Sequence, residues 1–362
     1  MKKKKILKAV LSVFISVVLV LVLTVVGYIG YLFLSYSRIE DGQTLETDTK
    51  GITDTLKTDE EYVIFNQNLG FGAYTADFTF FMDGGTESRA RSEESVIKCI
   101  NLGADTAEKF SPDFILFQEV DTDSTRSFHI DQSEILRDRF SDFSSVFAVN
   151  YDSAYLMYPF SEPHGASKAG ILTFSKYNIA SAVRRSLPIS ESVSKFLDLD
   201  RCYSVSRIPV ENGKELVIYN VHLSAYGGSD EIRAAQMNML FSDMKEEYEK
   251  GDYCVTGGDF NHDFTGDSTQ KLNGGMSVDF GWAMPFPIEM LPEGLSRCDS
   301  YDDGELIPTC RNCDIPYEEG NFTLIVDGFL VSDNVSVSSL KNISTSFSYS
   351  DHNPVVMSFV LE

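Results

Sequence analysis

Between Lys8 and Arg38 the chain runs for 29 residues without a charge, and residues 10–26 are almost wholly Val, Leu, Ile and Phe. No other feature restricts the fold as strongly. A bilayer core of about 30 Å is crossed by about 20 apolar helical residues, so this run is long enough to span one. Lys2, Lys3, Lys4, Lys5 and Lys8 precede it, and Glu40, Asp41, Glu46 and Asp48 follow it. Tyr28, Tyr31 and Tyr36 stand toward its far end, where amphipathic rings favour the interface. The positive-inside rule then predicts a single-pass membrane protein with its start in the cytoplasm and everything beyond about residue 38 extracytoplasmic.

A cleaved signal peptide is the alternative. Its apolar region is usually about 7–15 residues and ends in small residues. Here the run is longer and lacks an A-x-A site, which favours an uncleaved anchor. Residues 38–58 (RIEDGQTLETDTKGITDTLKT) are polar and rich in Thr, Asp and Gly, the composition of a linker. With no internal repeat and no second such stretch, three regions follow: a Lys-rich start and transmembrane helix (1–37), a linker (38–58) and one domain (59–362).

That domain alternates two periodicities. Short apolar runs read as strands at 62–65, 114–120, 170–175, 202–208, 216–222, 253–259, 323–327 and 355–360. Helical spacing appears at 92–110, where Pro112 ends it, and at 132–140 and 232–248. Strands interleaved with helices predict a layered α/β domain.

Polar residues gather where the strands end: Asn68, Glu119, Asn220 with His222, Asp259 with Asn261, Asp327, and Asp351 with His352 just before the last strand. Rigid strand ends are a good place from which to converge catalytic side chains. Carboxylate and amide oxygens suit a hard cation such as Mg²⁺ (or Mn²⁺), and two histidines beside an Asp–Asn pair suit a charged phosphoryl transition state. No G-x-x-x-x-G-K-[ST] loop is present, which counts against NTP-driven chemistry.

Six segments, in order, carry a family resemblance: NQNLG (66–70), FQEV (117–120), YNVHL (219–223), TGGDFN (256–261), VDGFLVS (326–332) and SDHNPV (350–355). The chain resembles the endonuclease/exonuclease/phosphatase superfamily of deoxyribonuclease-like nucleases, apurinic endonucleases, bacterial sphingomyelinases and inositol-polyphosphate 5-phosphatases. The resemblance implies an α/β (α+β) fold, a four-layer α-β-β-α sandwich of two mainly antiparallel sheets. It implies metal ligation by Asn68, Glu119 and, more weakly, Asp351. His222 and Asn261 resemble phosphate-contacting residues, and Asn220 one that shapes the same pocket. Asp259 resembles the residue that activates the attacking water. His352 resembles a catalytic histidine held by Asp327. In the first motif either Asn66 or Asn68 fits the ligand position; the Gly-terminated strand favours Asn68.

Three segments are expected to shape the pocket: 71–85, 121–131 and 161–168. Arg126, His129 and Lys168 within the last two are candidate phosphate contacts. Cys310-x-x-Cys313 with Cys298 offers an incomplete zinc site, a disulfide or free thiols; Cys99, Cys202 and Cys254 read as core. With 54 acids against 30 bases and a net charge of −24, and with no basic stripe, nonspecific nucleic-acid binding is disfavoured. The expected function is a membrane-anchored, metal-dependent phosphoester hydrolase acting on a phospholipid or small phosphoester. A nuclease acting on extracellular DNA or RNA, and a catalytically inactive binding ectodomain, are the alternatives.

Overall fold

The structure is a computed structural model that describes residues 2–51, 54–192, 195–198, 200–225, 229–275, 283–299, 306–318 and 320–362. Helix α1 (Lys2–Ser35) is followed by β1 (Gln43–Thr44), β2 (Thr47–Asp48), β3 (Glu61–Asn68), α2 (Glu93–Glu108), β4 (Phe114–Asp121) and α3 (Gln132–Arg139). Next come β5 (Ser144–Leu156), β6 (Gly165–Ser175), β7 (Ser181–Ser186), α4 (Lys195–Asp198), β8 (Cys202–Pro209), β9 (Glu215–His222) and α5 (Asp230–Glu249). The chain closes with β10 (Tyr253–Asp259), α6 (Ser268–Leu272), β11 (Leu295–Arg297), β12 (Cys310–Arg311), β13 (Thr323–Leu324), β14 (Asp327–Ser332), β15 (Val335–Asn342) and β16 (Val355–Leu361).

Two seven-stranded sheets result, ordered β1-β7-β8-β9-β10-β14-β11 and β15-β16-β3-β4-β6-β5-β2. Each is antiparallel except for one central pair, β9/β10 and β3/β4. Each parallel pair is joined by a crossover helix, α5 and α2 respectively, as a parallel connection requires. The strands alternate faces. Ile64, Leu116, Ile218, Val255, Phe329 and Met357 pack between the sheets. Phe65, Ile115 and Phe117 face Val96, Ile100 and Ala104 of α2 and Leu136 of α3. Val217, Tyr219 and Cys254 face Met237, Leu240 and Met244 of α5. This is the four-layer sandwich that the resemblance implies. Ser92 and Ser229 cap α2 and α5 by accepting from the amides of Ser95 and Ile232, an arrangement worth about 1 kcal/mol each.

Two expectations change. Residues 323–327 are not one strand: β13 pairs briefly with β12, and Asp327 opens β14 instead of ending a strand. The stretch 38–58, expected as a free linker, lies along the domain; Ile52 and Thr53 within it fall outside the described residues. Its β1 pairs with β7 and its β2 with β5, and Leu56 bridges to Val210. Polar residues suffice there because an edge strand is held by backbone hydrogen bonds. Helix α1 buries none of its residues and is long and apolar enough to cross a membrane.

Candidate active site

The C-terminal ends of β3, β4, β9 and β10 point to one rim between the sheets. Their antiparallel neighbours β14 and β16 begin there. Residue pairing makes this explicit: Asp259 lies opposite His222 in β9 and opposite Asp327 in β14, while Val355 of β16 lies opposite Asn66. Asn68, His222, Asp259 and Asp327 share the inter-sheet parity of Ile64, Ile218, Val255 and Phe329, so all four side chains enter the same gap. Glu119 has the wrong parity. A register shift between Phe117 and Val120 and a φ of +54° turn it round into the cavity. A bulge of this kind re-aims one side chain at a cost in backbone strain. Gly258 lets β10 reach the rim: its φ is +152°, and a Cβ there would stand 2.0 Å from the Val221 carbonyl oxygen.

Asp259 is the hub. Asn68 donates its Nδ2 to Oδ2 of Asp259 at 3.1 Å and to Oε1 of Glu119 at 3.2 Å, while its Oδ1 accepts from the Gly70 amide at 2.9 Å. His222 Nε2 lies 3.5 Å from Asp259 Oδ2 and 3.9 Å from Glu119 Oε1. His352 Nε2 lies 3.8 Å from Asp259 Oδ2, and its Nδ1 is hydrogen-bonded to Asp327 Oδ2 at 2.8 Å. The Asn261 amide donates to Asp259 Oδ1 at 2.9 Å, and the Asn261 side chain donates to the Leu223 carbonyl. Asp351 lines the same cavity, its Oδ1 close against Gly70.

These groups perturb one another. Burial pushes the Asp259 carboxyl up to about 7, with the Asp327 charge adding and the His352 imidazolium opposing. Burial also carries Asp351 to about 7; His352 opposes and the Glu119 charge adds. For His352 burial acts downward, but Asp327, Cys310 and Asp259 outweigh it and hold the imidazolium well above its ordinary range. His222 goes the other way: burial, with Arg201 and His352 adding, holds it well below the ordinary value. One histidine is therefore a cation and the other a neutral ring, an assignment of roles by environment.

The cavity over this floor encloses about 530 Å³. Segment 71–85 supplies Phe71, Tyr74, Phe80 and Phe81, and His164 comes from 161–168, as expected. Arg126 also reaches it, but its Nε and Nη2 are held by Asp121 at 3.0 and 2.8 Å, and its guanidinium lies 4.0 Å above the Phe71 ring. Three expected contacts do not arrive. Asn220 is fully buried one layer below, accepting from Gln118 at 2.7 Å and donating to the Phe117 and Leu172 carbonyls. It ties the sheets together because it stands two residues short of the strand end. His129 is exposed and paired with Asp123, and the Lys168 side chain is exposed on β6. Asn66 is likewise a layer below the rim, accepting from Gln118, so of the two asparagines Asn68 is at the site. All six cysteines are buried free thiols. The sequence reading missed Arg201, Arg311, Tyr151, Tyr158 and Tyr28, all of which line the cavity. None sits in a motif; only their being polar or aromatic near a break in pattern marks them.

The carboxylates of Glu119, Asp259 and Asp351 line this cavity, and Asp327 stands behind His352 with its Oδ1 buried and without a hydrogen-bond partner. Carboxylate and amide oxygens converging on one cavity fit a hard divalent cation.

Comparison with solved structures gives the same architecture. A protein from Beutenbergia cavernae, described as an endonuclease/exonuclease/phosphatase, superposes with a TM-score of 0.56 at 16% identity over 83% of this chain and 72% of that one. ANGEL2, a 2′,3′-cyclic phosphatase bound to adenosine-2′,3′-vanadate, gives 0.53 at 14% identity over 90% and 100%. The catalytic domain of human Nocturnin with bound sulfate gives 0.51 at 18% over 88% and 98%. At these identities the likeness is one of fold. No curated protein matches the chain. The sequence model of the Endonuclease/Exonuclease/phosphatase family matches residues 102–352, most of the domain and all but one of its rim residues. On that match, with the fold in agreement, the chain belongs to the Endonuclease/Exonuclease/phosphatase family, whose members are metal-dependent hydrolases of phosphoester bonds.

Proposed function

We propose that this chain is a membrane-anchored, extracytoplasmic phosphoester hydrolase whose substrate is a phospholipid or other small phosphoester. The carrying observation is the convergence on Asp259 of Asn68 and Glu119 from one side and of His222 and the Asp327–His352 pair from the other. In this reading residues 1–37 are the cytoplasmic start and the span, and 59–362 the catalytic domain with 38–58 strapped to it.

Glu119 and Asp351, with Asn68 beside them, would hold a cation such as Mg²⁺ or Mn²⁺, which supplies charge neutralisation at the phosphoryl oxygens. Asp259, Asp327 and His352 also place ligand atoms within 4.8 Å of one another. There, however, Nδ1 of His352 is engaged by Asp327 and the ring is cationic, so the Glu119 side suits a cation better. Asp259 takes the proton of a water molecule as its oxygen attacks phosphorus in line and the ester P–O bond breaks. A carboxyl near 7 is well matched to that transfer at neutral pH. The His352 imidazolium and the His222 ring, donating from Nε2, face the charge that builds on the phosphoryl oxygens; Asn261 completes that side. Asp327 holds the tautomer and orientation of His352.

Aromatic cavity walls and a net charge of −24 favour a small or lipid phosphoester over a polyanion. The test is hydrolysis by the full chain, with and without Mg²⁺, of sphingomyelin, a phosphoinositide, plasmid DNA and RNA, with Glu119→Ala beside it. Metal-dependent turnover of a lipid, lost in the variant, is expected. Preferential turnover of DNA or RNA would replace the substrate assignment, and no turnover of any would favour a binding domain.

A further inference from the structure

We propose that the mouth of the catalytic cavity sits on the outer leaflet of the bilayer crossed by α1, held there by an apolar lip at residues 155–160, so that the phosphoester is presented by the membrane. The proposal rests on the anchored reading of α1 above and adds to it where the cavity opens.

Helix α1 is docked to the domain through its C-terminal end. Tyr28 Oη donates to the Tyr155 carbonyl at 3.1 Å and accepts from the Met157 amide at 2.9 Å; Tyr31 Oη accepts from the Tyr155 amide at 3.2 Å. Phe33 packs edge-on against Phe196, their ring centroids 5.2 Å apart. The height of that contact follows from helix geometry. Lys8 is the last charge before the apolar run and Tyr28 lies 20 residues further. At 1.5 Å per residue this is about 30 Å, the thickness of the hydrocarbon core. Tyr28 therefore marks the outer boundary, and so do the backbone groups of 155–157 that bond to it.

The segment at that height is apolar and uncovered. Tyr155, Met157, Tyr158 and Phe160 are 38, 46, 63 and 83% exposed. Outside α1 they are four of the ten exposed large hydrophobic residues among the described residues, within six positions of one another, and Phe160 is the most exposed of all. A cluster of this kind marks an interaction surface. The occupant is set by what stands beside it, the bilayer that the adjoining helix crosses. Leu156, Met157 and Tyr158 also line the catalytic cavity together with Tyr28 and Phe196. The same segment thus faces the membrane on one side and the reacting volume on the other.

The full chain carries six cysteines, all buried, so Phe160→Cys and Val18→Cys each take a single bimane label. Both are reconstituted in phosphatidylcholine vesicles containing brominated phosphatidylcholine. Loss of emission at both positions is the expected result. Loss at 18 with a fully emitting label at 160 overturns the seated mouth and leaves the anchor; full emission at 18 overturns both. In a second arm, Phe160→Asp lowers hydrolysis of vesicle phospholipid about tenfold and leaves hydrolysis of soluble bis(p-nitrophenyl) phosphate unchanged. An equal effect on both substrates, or on neither, overturns presentation by the lip. Absence of any hydrolysis by the unaltered chain counts against the enzymatic reading, and the labels still decide the seating.

Discussion

At the floor of the cavity the functional side chains stand at or within a few residues of strand ends, and all but the half-buried Glu119 and Asp351 are buried. At the mouth the lining comes from loops, from the end of β5, from α4 and from the distant helix α1, and it is largely aromatic and partly exposed. The floor also holds backbone strain, with φ at +54° for Glu119 and +50° for Asn261. Such strain persists only where the surroundings over-determine it. The contrast separates two tasks. Strand ends fix geometry to the precision that bond breaking needs, and loops adapt the same floor to different substrates.

Changes at the floor should remove turnover without unfolding the chain, and the largest effect is expected there. Asp259→Asn should lower kcat by about 10³–10⁴-fold while leaving substrate and Mg²⁺ binding by calorimetry within a few fold; a loss below tenfold would take Asp259 out of proton transfer. Just behind the mouth, stability is at stake instead. Asp121→Ala strands Arg126 in a buried site, a cost of about 3–5 kcal/mol, visible as a lower urea midpoint. An unchanged midpoint would mean that Arg126 is hydrated there and free to serve as a substrate contact.

His164 sharpens the same line by pH. Burial, with the Arg126 charge adding, lowers it to about 3, and its Nδ1 is bonded to the Ser88 carbonyl. The unfolded chain then binds a proton that the folded chain refuses. Stability is intact above about 6.5 and falls as pH drops toward 3, by about 2 kcal/mol between pH 7 and pH 5. His164→Gln should flatten that part of the curve; an unaltered slope would locate the acid sensitivity elsewhere. The smallest effect belongs to the rim. Tyr28→Phe loses the hydrogen bonds to 155–157, worth about 1 kcal/mol, and should raise KM a few fold with kcat unchanged. A fall in kcat would show that the mouth also governs the floor.

The floor was legible in the sequence and the mouth only in part, through segments 71–85 and 161–168, for a physical reason. A carboxylate or imidazole ending a run such as FILFQE or IYNVH stands against an apolar background, so Glu119 and His222 announce themselves. Parity then misleads by one step at Asn220, which has the right composition but lies a layer too deep. Tyr28, Arg201 and Tyr158 reach the cavity through chain folding alone, and no local pattern carries that. Several strands also escaped, β5, β7, β14 and β15 being the longer ones. In β5 the alternation is broken by Asn150, Asp152 and Ser153, and in β15 an exposed edge is written in Ser and Lys. Edge strands are held by backbone pairing and tolerate polar residues that interior strands do not.

The strap between α1 and the domain has a consequence for where the chain can be cut. Its first short strand completes one sheet beyond β7 and its second completes the other beyond β5. A protease acting after Ser37 would release a domain with both borders finished. One acting after Lys50 would release the same catalytic floor with two bare rows of amides and carbonyls, and such rows recruit copies of themselves. Two cut forms differing only by the thirteen residues 38–50 would thus diverge in fate, one dispersing and the other associating edge to edge.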